Sequence, residues 1–158
     1  MRLAPLFLLL AFVVILSACV PKVPVPATGV LAPASGSVAE DASTSLVRTD
    51  QQGAVVVEVT PLNLDTPGQT LDFQVALNTH SVNLNMDFAR LATLSTDNGN
   101  SVQAVAWEGP QGGHHVIGTM QFPATENGKS LLDGAIKLTL TLRGVDVPER
   151  VFSWDLGK

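Results

Sequence analysis

The sequence predicts an all-β protein whose main domain is an immunoglobulin-like antiparallel β-sandwich of about seven strands. Through most of residues 51–158, large apolar residues alternate with polar ones at a period of two. Gly, Pro, Asn and Asp clusters separate the alternating segments at roughly even spacing, and little of this region has helical periodicity. Short, evenly spaced strands of this kind are typical of two antiparallel sheets packed face to face. A small closed barrel is the alternative.

The two clearest strands are residues 70–78 and 136–143, in which every second residue is large and apolar. Weaker alternation predicts five further strands, at residues 55–60, 82–88, 102–107, 114–122 and 150–156.

The connections between these strands also carry signals. Asn98-Gly99 predicts a hairpin, because both residues tolerate the positive φ that a primed turn requires. Residues 88–95 are ambiguous: Phe88, Leu91 and Leu94 recur at helical spacing, so a short helical turn and a kinked strand are both open. Trp107 and Trp154 are interpreted as core or sheet-edge packing rather than as a ligand platform.

Residues 1–18 have the three parts of an export signal. A basic start at Arg2 precedes an apolar stretch over residues 3–16, and the small residues Ser17 and Ala18 follow. A membrane span needs roughly 20 apolar residues, and here the run leads directly into a proline-rich segment. The sequence therefore predicts a cleaved signal peptide rather than a permanent transmembrane helix.

The end of this signal, Leu16-Ser17-Ala18-Cys19, contains the only cysteine of the chain. It resembles the bacterial lipoprotein signal, which implies that Cys19 is lipidated and becomes the first residue of the mature protein. The alternative is an ordinary secretory peptide that ends near a cysteine. The resemblance implies a lipid anchor in the cell membrane or outer membrane, facing the periplasm or the exterior. Val20, rather than aspartate, follows the cysteine, which favours the outer membrane in a host that has two.

Residues 19–50 are predicted to be a disordered tether. They contain four prolines and then mainly Ala, Ser, Gly and Thr, which cannot bury enough apolar surface to offset the entropy of ordering. Residues 51–158 are predicted to form the sandwich, and their lack of cysteine means that apolar packing alone must stabilise it.

Composition and motifs exclude several classes of function. The formal net charge is −5 and the basic residues are scattered singly, so nucleic acid is not an expected partner. The sequence has no Gly-x-Ser-x-Gly elbow and no phosphate-binding glycine loop, and we predict that the protein is not an enzyme. The favoured function is a non-catalytic binding or structural module whose partner is another envelope protein or an extracellular ligand.

The alternative function is metal binding by histidines. Strand parity predicts that His80, at the end of the second predicted strand, lies at the same end of the sandwich as His114 and His115, at the start of the fifth. Imidazole suits copper and zinc, so a copper or zinc carrier is conceivable, whereas the favoured interpretation needs no cofactor. No recognised metal-binding spacing accompanies these residues, and alternation places His114 and His115 on opposite faces. The competing interpretation is that all three are edge and loop residues.

Overall fold

The computed structural model describes residues 46–157. The predicted signal peptide, the lipidation of Cys19 and the tether up to residue 45 lie outside the described residues. Within them the chain is nearly all β, with one short helix.

The described residues form eleven strands and one helix. In chain order they are β1 (Arg48–Asp50), β2 (Val55–Pro61), β3 (Thr70–Thr79), α1 (Phe88–Leu91), β4 (Ala92–Thr96), β5 (Ser101–Gln103), β6 (Ala106–Glu108), β7 (His115–Pro123), β8 (Thr125–Glu126), β9 (Lys129–Ser130), β10 (Lys137–Val145) and β11 (Val147–Asp155).

Two antiparallel sheets make up the sandwich. One has the order β1-β2-β3-β7-β6 and the other the order β11-β10-β4-β5, while β8 and β9 form a separate small hairpin. Lettering β2 to β7 as A, B, C, C′, D and E, and β10 and β11 as F and G, gives A-B-E-D in the first sheet and G-F-C-C′ in the second. This is the immunoglobulin arrangement, and it confirms the predicted sandwich.

The strictly alternating segments are strands at the predicted places. In β3 the even pattern of burial leaves Leu71, Phe73 and Leu77 fully buried, and in β10 Leu138, Leu140 and Leu142 are buried in the same way. Each of these strands is central in its sheet, with β3 between β2 and β7 and β10 between β11 and β4. The period-two pattern therefore identified the strands that contribute most to the core.

The strand predicted over residues 82–88 is wrong. Leu84 and Phe88 are buried as the alternation requires, but the segment is a loop that covers the core between β3 and α1. Its backbone bonds a glycine loop rather than a strand: the Leu84 amide donates to the Gly113 carbonyl at 3.1 Å, and the Gly112 amide donates to the Leu84 carbonyl at 2.8 Å. The strand that follows β3 in the sandwich is instead β4, which lies in the ambiguous region after the helical turn α1.

The single strand predicted over residues 102–107 is also wrong, because the chain changes sheets within it. β5 pairs with β4 in one sheet and β6 pairs with β7 in the other. The switch takes place at Ala104 and Val105, whose amides donate to Ala92 of the second sheet and to Gln121 of the first, respectively. Residues 104–107 are all apolar, so the sequence pattern does not show where one strand ends and the next begins.

Two Asn-Gly turns differ in their backbone. Asn98-Gly99 connects β4 to β5 in a hairpin as predicted, but Gly99 has φ of 92° while Asn98 is not among the residues with positive φ, so the turn is not of the expected type I′. Asn127-Gly128, at the tip of the β8–β9 hairpin, has both residues at positive φ, 51° and 78°. The primed turn geometry therefore occurs in the smaller hairpin.

Residues 46–52 hold the two sheets together along one side, and we call them the N-terminal strap. β1 pairs with β2 of the first sheet and also contacts β11 of the second sheet. Trp154 Nε1 donates to the Leu46 carbonyl at 2.6 Å, and Arg48 Nε donates to the Ser153 carbonyl at 2.8 Å. The last residues of the predicted tether, 48–50, are thus a strand of the folded domain.

A buried ion pair anchors the other end of the strap. Arg150 of β11 is completely buried, and its guanidinium donates to the Asp50 carboxylate, to the Gln52 carbonyl at 2.7 Å and to the Val145 carbonyl at 3.3 Å. Every nitrogen of the guanidinium therefore has an acceptor, which is what a buried cation requires.

The pKa of Asp50 reflects opposing effects. Burial raises it, but hydrogen bonds from the Gln52 side chain and backbone, together with the charge and hydrogen bond of Arg150, outweigh burial and hold the pKa below its ordinary value. A carboxyl with a depressed folded-state pKa stabilises the fold at pH values above its unfolded pKa of about 4. That stabilisation is lost as the pH falls through the lower folded-state value.

We expect acid to weaken the strap through Asp50. Between about pH 6 and about pH 2, the free energy of unfolding of the unaltered chain should fall, and Asp50→Asn should reduce the part of this fall that lies below about pH 4. Urea denaturation at a series of pH values measures this. The matched control is Asp65→Asn, in the exposed loop between β2 and β3. An acid dependence that Asp50→Asn leaves as steep as in the control would contradict the assignment.

The edge of the first sheet is closed by Trp107. Its ring packs against Phe88, with centroids 5.0 Å apart, and lies over the backbone of Gly118 in the neighbouring strand. A Cβ added at Gly118 would stand 2.6 Å from the Trp107 ring and 2.7 Å from the Glu108 carbonyl oxygen. Gly118 is thus required for close approach of the indole, which agrees with the predicted packing role of Trp107.

We expect Gly118→Ala to destabilise the domain by about 1 to 3 kcal/mol, because the added methyl must displace the indole or the backbone. Urea denaturation followed by tryptophan fluorescence measures both the loss and the altered environment of Trp107. Gly68→Ala is the control, since a Cβ there meets nothing within 4 Å. Equal stability of the two variants would show that the edge yields without cost.

Candidate functional site

Two surfaces at opposite ends of the sandwich are candidates for function. The first is the histidine end, where β3 finishes and β7 begins. Asn78 of β3 lies opposite His115 of β7 in the antiparallel pair, and His80 follows two residues after Asn78. His80 and His115 are therefore diagonal neighbours across two adjacent strands, which is the proximity that strand parity predicted.

The side chains of His80 and His115 are in direct contact. Their ring centroids are 5.9 Å apart and the ring planes are nearly perpendicular, at 79°. His115 Nδ1 lies 3.0 Å from Asn78 Oδ1. Both histidines are exposed, so the pair is open to solvent and to anything dissolved in it.

His114 does not join this pair. It precedes the first residue of β7, and its backbone carbonyl accepts a hydrogen bond from the Thr79 amide at 2.9 Å. The structure shows a ring contact of His115 with His80 but none that involves His114 among residues 46–157. The predicted set of three histidines is thus brought together only in part.

Three other residues whose side chains are possible metal ligands, Met86, Asp87 and Met120, have separate roles. Met86 packs against the core, Asp87 forms an exposed ion pair with Arg90 at 3.1 Å, and Met120 is buried opposite Phe73. In the part of the chain that the structure describes, no group of three or more His, Cys, Asp or Glu side chains is arranged to hold a metal ion.

The second surface is an open groove at the opposite end, which we call the groove. It has a volume of about 530 Å³ and lies between Leu46 of the strap, the loop after β2 and the residues that follow β11. The apolar part of its lining comes from Leu46, Pro61, Leu62, Leu64, Leu132 and Leu156.

The groove combines exposed apolar surface with negative charge. Leu46 and Leu62 are 48% and 52% exposed, which is unusual for leucine beside a well-packed core. The carboxylates of Asp65 and Asp155 also line the groove, and no lysine or arginine of residues 46–157 does so. Such a surface favours an apolar segment that carries a positive charge.

Periodicity in the sequence does not predict the groove. Leu62 and Leu64 lie in the irregular loop after β2, and Leu156 lies just beyond β11, so no periodicity links them. A signal was nevertheless present in Leu62 and Leu64 themselves, two leucines outside any alternating strand and next to the turn at Asp65-Thr66-Pro67-Gly68.

Across residues 46–157 no helix has the length and hydropathy that crossing a bilayer requires. No protein-family model matches the chain, and no curated protein matches it. Among solved structures, the chain is similar to a DUF4426 family protein from Pseudomonas aeruginosa PAO1. The similarity has a TM-score of 0.39 and 10% sequence identity, and it covers 71% of this chain and 94% of that chain.

Proposed function

We propose that the protein is a bacterial lipoprotein that is anchored to a membrane through Cys19 and presents its sandwich as a non-catalytic binding module. The anchor rests on the sequence Leu16-Ser17-Ala18-Cys19 after an apolar export signal. The binding role rests on one observation, the apolar and acidic groove beside Leu46. We infer that the groove receives an apolar segment of another envelope protein that carries a lysine or arginine opposite Asp65 and Asp155.

The strap supports this role because it fixes one wall of the groove. The Trp154 indole holds the Leu46 carbonyl at 2.6 Å, so Leu46 keeps its place although its side chain is half exposed. A preformed surface of this kind binds without first paying the entropy of ordering its own residues. The predicted tether before the strap would allow the domain to reach partners near the membrane.

The anchor is tested by fractionation of cells that produce the full chain. The unaltered protein is expected in the membrane fraction. Cys19→Ala is expected to lack the thioether-linked diacylglycerol and the mass that this lipid adds. Mass spectrometry of the membrane-bound protein measures the modification directly. An unmodified thiol on the native protein would overturn the anchor.

The groove is tested with the peptide N-acetyl-Leu-Lys-Leu-amide and with its counterpart in which glutamate replaces lysine. Chemical shifts of the full chain should change around Leu62 and Leu156 with the lysine peptide, and Leu62→Lys should abolish the changes. The matched control is Val151→Lys, because Val151 is equally exposed, at 53%, but lies on β11 outside the groove. Equal responses to the two peptides, or changes centred elsewhere, would contradict the proposed partner chemistry.

A further inference from the structure

We propose that His80 and His115 form a two-imidazole binding site for a divalent transition-metal ion, with Cu²⁺ the preferred member of the class. Imidazole nitrogen suits Cu²⁺, Zn²⁺ and Ni²⁺, and affinity among these ions is usually greatest for Cu²⁺. The site lies at the end of the sandwich opposite the groove and does not depend on the anchor or on the groove.

The spacing of the two rings fits one shared ion. When each ligating nitrogen is about 2.0 Å from the metal, the centres of two imidazoles on one ion stand about 4.5 to 6.3 Å apart for N–metal–N angles between about 90° and 180°. The centroids of His80 and His115 are 5.9 Å apart. Since both side chains are exposed, the rings can turn from their present edge-to-face contact towards a common ion while the strands stay in register.

Asn78 prepares His115 to act as a ligand. Since a carbonyl oxygen only accepts hydrogen bonds, the 3.0 Å contact with Asn78 Oδ1 is a hydrogen bond in the tautomer that carries its proton on His115 Nδ1, and the contact favours that tautomer. The lone pair is then on Nε2, which becomes the metal-binding nitrogen. Metal-ligating histidines characteristically donate their second ring N–H in this way, and the partner fixes both the tautomer and the orientation of the ring.

The same geometry assigns no ligand role to His114. His115 is on the outward face of β7 with Asn78 opposite, while His114 precedes the strand and is engaged through its backbone with Thr79. Water would fill the remaining coordination positions, because no third His, Cys, Asp or Glu completes the group within residues 46–157. We therefore expect a dissociation constant on the order of micromolar rather than the much tighter binding of a closed site.

The experiment uses the full chain with Cys19→Ala, purified in detergent so that no thiol competes for the metal. Titration with copper(II) chloride, followed by electron paramagnetic resonance, should show one bound equivalent with coupling to imidazole nitrogen. His80→Ala and His115→Ala should each weaken binding at least about tenfold, while His114→Ala should change it less than about twofold. Asn78→Ala should weaken binding about tenfold, and Asn78→Asp, which keeps the acceptor, should retain it.

Three results would overturn the proposal. The first is the lack of saturable binding at one equivalent, and the second is a loss in His114→Ala that equals the loss in the other two variants. The third is binding that survives both His80→Ala and His115→Ala, which would place the ion elsewhere on the chain. Thermal unfolding of each variant is the control for folding: an unchanged midpoint means that a change in affinity reports on the ligands.

Discussion

Replacing Arg150 by methionine is expected to lower the free energy of unfolding by about 3 kcal/mol or more. The substitution keeps most of the apolar stem but leaves the Asp50 carboxylate and the Gln52 carbonyl without their cationic donor. Breaking a buried pair by removing one member is costly because the remaining charge stays poorly solvated. Urea denaturation with a constant dependence on denaturant measures the loss.

A second ion pair of the domain provides the matched control. Arg143 bonds Glu149 at 2.8 Å, but the two side chains are 72% and 44% exposed. Exposed pairs contribute little, so Arg143→Met should cost less than about 1 kcal/mol. The double variant Arg150→Met with Asp50→Leu should recover part of the loss, because it removes both buried charges together. If Arg150→Met were as mild as the control, the strap would not depend on this pair.

Replacing Phe73 by alanine is expected to cost about 3 to 5 kcal/mol. Phe73 is fully buried in the central strand β3, and its ring lies 5.6 Å from Phe122 of the same sheet and 5.4 Å from Trp154 of the other. Removing it leaves a cavity between the two sheets, at the place where they interlock. Phe73→Leu should cost far less because leucine refills most of the volume.

The comparison for Phe73→Ala is the adjacent residue on the opposite face of the same strand. Gln74→Ala removes a side chain that is exposed to solvent, and its effect should stay within about 0.5 kcal/mol. Thermal and urea denaturation of the three variants separate the loss of packing from any general effect on β3. A small loss in Phe73→Ala would mean that the two sheets close over the vacated space.

Alternation of apolar residues predicted some strands of this fold correctly and others wrongly. In β3 and β10 one face of the strand packs on the core, as at Phe73 and Leu140, and the other does not. Burial then alternates with a period of two, and the strands are predicted correctly. The same pattern wrongly predicted a strand at Leu84, because the loop that covers the core there also buries alternate residues. It failed again at Ala104, because residues 104–107 are all apolar and alternation does not indicate to which sheet a strand belongs.

Residues 46–50 of the strap fall within the predicted tether because their composition continues that of the polar residues before them. A clue was nevertheless present in Arg150, which shares the parity of Phe152 and Trp154 in a strand whose other inward residues are aromatic. A guanidinium in that position requires buried acceptors, and Asp50 supplies the charge. The pairing itself joins residues far apart in the chain, so alternation within one segment cannot identify it.

Some features of the candidate sites follow from the sequence, and others are seen only in the structure. The meeting of His80 and His115 follows from counting antiparallel strands, and alternation correctly separates His114 from His115. The role of Asn78 depends on register, which only the structure supplies. The groove joins Leu46, Leu62 and Leu156 from three separate segments and could not be inferred from local pattern.

The strap has a further consequence for solubility. Within residues 46–157, the nine-residue strand β11 has β10 as its only ladder partner, and the strap covers its other side at Trp154, Ser153 and Arg150. A long uncovered strand edge is a template on which a second molecule can add a strand, which begins aggregation. A proteolytic cut between β1 and β2 would release the cover while leaving most of the core in place. The strap therefore also covers a strand edge that could otherwise pair with a second copy of the domain.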